Sequence, residues 1–261
     1  MGATSKEKEF YMVLTVTQTN LRDQFIDAFG FWQRDWEDVL TTDETFFASY
    51  LEFAGGPYRS GNLDPLVREF VHIAVDSSST HLYKPGIRSH VRRALELGGT
   101  SQQIMQVLEM TATLGIHSCI VAVPILLEEL GDDAPASGPL SEHQERIKAD
   151  FVANRGYWNP FWDGMLVLDA DFMESYMRFS SVPWVTDVLE AKIRELVITA
   201  FDVAATHLFV PGLHQHIRNA LGYGASREEI MEVIEIASTL GIHSCNVGVP
   251  ILLEEIRLRE S

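Results

Sequence analysis

Six of the nine histidines in this chain recur as pairs at one fixed offset: His81 and His207, His90 and His216, His117 and His243. Two glutamates, Glu69 and Glu195, pair in the same way. Imidazole ordinarily titrates near neutrality, so burial and a carboxylate neighbour can tune it into a general acid or base. His90 lies on the rim of an apolar helical stripe, Ile87, Val91, Ala94 and Leu95. His216 holds the same place beside Leu213, Ile217, Ala220 and Leu221. A rim position half in the core suits proton transfer. The same residue types also suit a metal: imidazoles and a carboxylate accept zinc, manganese or iron, although this spacing matches no compact metal motif. The plainer alternative is a packing histidine with one satisfied hydrogen bond. It fits a lone histidine better than three that recur together.

The pairing follows from a duplication. Residues 63–130 and 189–256 align without a gap at an offset of 126, and 35 of those 68 positions are identical. Upstream, Gln18, Phe25, Gly30, Trp32, Trp36, Asp43, Phe46, Tyr50 and Pro57 recur as Gln144, Phe151, Gly156, Trp158, Trp162, Asp169, Phe172, Tyr176 and Pro183. Each unit, 18–130 and 144–256, has the size of a small domain rather than of a solenoid repeat. The stretch 131–138 between them reads as a linker.

Helix signals dominate. Thr100 with Gln103, and Ser226 with Glu229, form capping boxes. Pro85 and Pro211 suit helix starts, and Gly98 and Gly224 suit helix ends. Asp43 and Asp169 suit caps for the helices carrying Phe46 and Phe172. The stretch 116–130 is apolar almost all round, which predicts burial, with Pro124 kinking or restarting it. The expected fold is all-α, with two tandem homologous helical domains.

The net charge is −17, which repels phosphate backbones and argues against nucleic acid as a partner. No apolar run approaches the ~18–20 residues of a membrane span, and no signal-peptide core opens the chain. Cys119 and Cys245 occupy matched positions and read as two free thiols, which fits a reducing, cytoplasmic setting.

The run Arg68-Glu69, then Thr80-His81-Leu82-Tyr83 through Pro85, Gly86 and His90 to Ala94, Gly98, Thr100 and Ile104, resembles the carboxymuconolactone decarboxylase family, which also holds the alkylhydroperoxidase D-like proteins. The second half repeats the pattern through Glu195, His216, Ala220, Gly224, Ser226 and Ile230. The resemblance implies His90 and His216 as catalytic residues, with Glu69 and Glu195 beside them. His81, His207, His117, His243, Tyr83 and Phe209 are expected to bind substrate. Peroxidase members carry two cysteines ahead of the histidine. Tyr83, Gly86, Phe209 and Gly212 stand there instead, which removes the required thiolate.

The resemblance thus implies a cofactor-free lyase, a decarboxylase or isomerase of aromatic catabolism acting on a small carboxylated lactone or related acid. No metal is expected on that reading. A histidine–glutamate metal enzyme, a non-catalytic ligand-binding or assembly protein, and an antioxidant working through Cys119 or Cys245 stay open as alternatives. Family members resemble hexamers, so three duplicated chains would recreate six units, and a homotrimer is expected.

Overall fold

The structure is a computed structural model that describes residues 13–135, 138–186 and 188–260. Ala136 and Ser137 of the expected linker lie outside the described residues. Every regular element is helical, and no strand occurs among the described residues. The capping reading is borne out: Thr100 caps Ser101–Ala112 and Ser226 caps Arg227–Thr239, each in a reciprocal box. Asp43 and Asp169 accept from the backbone of Phe46 and Phe172. Each such cap stabilises its helix by about 1 kcal/mol.

Packing cuts the chain differently from the repeat. One compact unit runs to Arg59 and resumes at Gly241; the other is Ser60–Leu240. In the first unit, the helices Val16–Phe29, Arg34–Thr42 and Glu44–Ala54 bury Phe25, Trp36, Leu40 and Phe47 together with Ile242, at the entry to the final helix, His243–Glu260. In the second, Ile116 and Ile120 pack among Ile147, Phe151, Trp162 and Met165. The last helix of each repeat therefore joins the opening segment of the other repeat. The limits 18–130 and 144–256 describe the duplication, while these two units describe the packing.

The rest of the second unit holds the elements that place the chemistry. Each repeat contributes a buried glutamate helix, Pro65–Ser77 or Ala191–Val203, and a histidine helix, Lys84–Glu96 or Val210–Gly222. The two glutamate helices share cores: Val67, Val71 and Val75 pack with Leu196, Ala200 and Val233, and Phe70 and Ile73 with Val197 and Phe201. Burying one such side chain is worth about 1.5–3 kcal/mol. A buried ion pair adds a tie. Glu232 accepts from Arg68 at 2.9 Å, from Ser60 and from the backbone of Asn62 and Leu63. At the matched position Gln106 instead donates to Pro183 O and Thr186.

Two expectations fail here. The stretch 116–130 is not buried. Only Ile120 of the helix His117–Leu130 is enclosed, while Val121, Ile125 and Leu126 are exposed, as are the matched Val247, Ile251 and Leu252 of the final helix. Each helix meets its own unit along one side only. Second, the helical stretches Ser101–Asp133 and Arg227–Glu260 are long and apolar enough to cross a membrane by length and composition. Residues 110–127 carry no Asp, Glu, Lys or Arg, although Gly115 and His117 interrupt the aliphatic run.

Candidate functional site

The glutamate helix and the histidine helix of each repeat are joined by a tight turn, and that turn sets the site. After Val203 the chain reverses, with His207 N donating to Ala204 O at 2.8 Å and Phe209 N to Asp202 O at 2.8 Å. Leu208 takes a φ of 48°, and Leu82 takes 50° in the matched turn. A left-handed leucine costs about 1–2 kcal/mol, strain that clusters at functional sites. The turn ends against Gly212, where an added Cβ would lie 2.7 Å from Asp202 Oδ2 and 2.6 Å from the Phe209 ring. Gly86 is equally hemmed in by Asp76 and Tyr83. Any side chain at these two positions, a thiol included, would collide with the buried acid.

In the second repeat His216 Nδ1 lies 2.7 Å from Glu195 Oε2, and Asn219 donates to Glu195 Oε1 at 3.1 Å. An ionised carboxylate can only accept, so Nδ1 carries the proton and Nε2 is left for a reacting group. Burial pulls the His216 imidazole down, but the hydrogen bond and charge of Glu195, then the charge of Asp202, outweigh it, and His216 is shifted upward. The first repeat repeats the pair, with His90 Nδ1 2.8 Å from Glu69 Oε2 and the same upward shift. There His72 stacks on His90, ring centroids 4.1 Å apart.

His216 borders a partly enclosed pocket of about 50 Å³ whose walls include His117, Arg155, Tyr157 and Tyr176. Arg155 is held by its Nη2 donating to Ser180 O at 2.8 Å and by its guanidinium lying over Trp184 at 4.2 Å. Its Nε has no hydrogen-bond partner, and it forms no ion pair with a carboxylate among the described residues. Burial pulls its pKa down. Burial likewise raises Tyr157 and Tyr176, which stay protonated donors.

The expected residues do not gather as one set per repeat. His117 does not join Glu69 and His90. It reaches the second repeat's site, with Nδ1 2.7 Å from His207 Nε2 and its ring stacked on Phe209 at 3.7 Å. The exchanged last helix is the cause, because it carries His117 away from its own repeat. His81 lies near Asp76, Nε2 to Oδ1 4.0 Å, and stacks on Tyr83. His243 opens the final helix, in the other compact unit. Sequence reasoning passed over Arg155, Tyr157 and Asn219, none of which is matched: Phe29, Phe31 and Arg93 stand at the corresponding positions. Asp202 is matched by Asp76. An aspartate recurring in the apolar runs Val71–Asp76 and Val197–Asp202 was the available signal.

The sequence profile of the carboxymuconolactone decarboxylase family matches residues 44–120 and 170–242. Among curated proteins no sequence matches the chain. Among solved structures, a Burkholderia xenovorans LB400 protein provisionally described as a gamma-carboxymuconolactone decarboxylase subunit superimposes with a TM-score of 0.89. It is 46% identical over 94% of this chain and 98% of its own.

Proposed function

The chain belongs to the carboxymuconolactone decarboxylase family, and from that premise we propose that it is a lyase acting on a small carboxylated lactone or related acid. The observation that carries this reading is the buried His216–Glu195 pair opening on a pocket that also presents Arg155 without a carboxylate partner. A buried guanidinium with a spare donor favours an anionic oxygen, so Arg155 takes the substrate carboxylate or a carbonyl carrying developing charge. Tyr157 and Tyr176 add neutral donors. When the carbon–carboxylate bond breaks, carbon dioxide leaves and the electron pair passes into the conjugated carbonyl. His216, protonated and held by Glu195, returns a proton to carbon. Positioned proton transfer of this kind contributes about 10²–10⁴-fold. The test is turnover of 4-carboxymuconolactone followed by lactone absorbance and released carbon dioxide. Turnover that His216→Gln abolishes supports the reading; no turnover, or an unaffected variant, sinks it.

We also propose that the chain works as a homotrimer. The matched exposed faces, Val121, Ile125 and Leu126 on one helix and Val247, Ile251 and Leu252 on another, are the apolar surface such an assembly would cover. Light scattering without detergent should give three times the mass of one chain. The mass of a single chain, or partition of the protein into membranes, would count against it.

A further inference from the structure

We infer that His117, His207 and Asp202 form a binding site for a divalent transition-metal ion. This goes beyond the acid–base reading and does not rest on it.

Two observations converge. The ligand atoms, one nitrogen from each imidazole and a carboxylate oxygen, all lie within 4.8 Å of one another. Asp202 is fully buried, and neither carboxylate oxygen has a hydrogen-bond partner among the described residues. A buried carboxylate left so is costly and calls for a compensating group, which an ion supplies.

The distances suit the change that binding would need. His117 Nδ1 and His207 Nε2 are 2.7 Å apart, bridged by a single proton, and Nδ1 is 3.8 Å from Asp202 Oδ1. Bonds of about 2.0–2.2 Å in tetrahedral geometry place neighbouring ligand atoms about 3.3 Å apart. The two nitrogens must therefore open slightly and the carboxylate must close slightly, while the shared proton moves to the other nitrogen of its own ring, so that both imidazoles stay neutral. Two imidazoles and one carboxylate form an open three-ligand set for zinc, cobalt or iron, with the fourth position left for water or a substrate oxygen. His117 also borders the pocket, so a bound ion would add positive charge at its wall. This ligand set replaces the earlier expectation of three histidines with a glutamate. Both glutamates are engaged by His90 and His216 instead.

The whole chain, stripped with chelator, is titrated with Zn²⁺ and Co²⁺ by calorimetry, and bound metal is counted after dialysis. The sequence offers the same residue types at Asp76, His81 and His243, so the variants are read as metal equivalents per chain. The unmodified chain should bind Co²⁺ with intense visible bands of a low-coordinate nitrogen–oxygen site. Asp202→Asn and His207→Gln should each remove one equivalent or weaken it by at least about tenfold. His143→Gln, which disrupts the exposed group His143, Asp171 and Glu174, should leave that equivalent in place. His207 is only half-buried, so His207→Gln is the variant expected to keep its fold. The inference fails if the unmodified chain binds neither ion saturably. It also fails if Asp202→Asn and His207→Gln keep every equivalent, or if His143→Gln alone removes it.

Discussion

The two glutamate–histidine pairs share their bond and differ in what surrounds it. Glu69 meets His90 at 2.8 Å and Glu195 meets His216 at 2.7 Å, each on matched helices joined by a matched turn. Around His90 the first repeat places His72, whose ring lies flat on the catalytic candidate; the second repeat has Ile198 at that position. Asn219 holds the free oxygen of Glu195, where the first repeat carries Arg93, paired outward with Glu96. Arg155 and Tyr157 wall the second site. Duplication kept the Glu–His pair and let the walls diverge; on the proposed lyase reading, the pair supplies the proton and the walls decide which copy takes an anionic substrate.

The largest effect should come from the pair itself. His216→Gln is expected to lower kcat by about 10²–10⁴-fold, while His90→Gln leaves most of the activity. Steady-state rates on variants whose helical content is unchanged decide this. Equal losses would mean that both copies work and that the walls are not the discriminating part.

Next in size is the fastening between repeats. Glu232→Ala removes the carboxylate that faces buried Arg68, which should cost about 3–5 kcal/mol in unfolding free energy. Gln106→Ala at the matched position removes only neutral hydrogen bonds, about 1–3 kcal/mol. Denaturant titration compares the two. A Gln106→Ala loss as large as that of Glu232→Ala would show that charge is irrelevant to the tie.

Arg155→Met tests the wall. Losing a hydrogen bond to a charged group costs about 1.5–3 kcal/mol, roughly 10–100-fold in kcat/KM. The loss should fall mainly on KM, because a carboxylate-holding group acts on the bound substrate from the start. A pure kcat effect would recast Arg155 as a group that stabilises only the developing charge.

Much of this was legible in the sequence because local rules and the duplication report it. Capping boxes, the aspartate caps and the paired glutamates and histidines are short-range or repeated signals. Where His117 goes is not such a signal. The two last helices are near-identical in sequence, so nothing in their residues says which opening segment each will join. Arg155 and Tyr157 escaped for the opposite reason: they are unmatched, and a search for what both copies kept looks past what one copy gained. The exposed apolar helices misled because a fully apolar helix reads the same whether its own chain or another copy covers it.

The smallest effect should come from what the two sites share most closely. Leu82 and Leu208 sit at φ of 50° and 48°, and both side chains are mostly exposed. Glycine relieves a left-handed strain of about 1–2 kcal/mol. It also adds unfolded-state entropy worth about 0.5–1 kcal/mol. Leu82→Gly and Leu208→Gly should therefore each shift stability by about 1 kcal/mol or less, and by the same amount, since little buried surface is lost. Thermal melts of the two variants side by side measure this. If the turn serves only to bring Asp202 and His207 together, Leu208→Gly should also loosen metal binding at that site while leaving the melt almost unmoved. A difference in stability of more than about 2 kcal/mol between the two variants would show that the turns, too, have diverged, and that the comparison between the halves rests on the Glu–His pair alone.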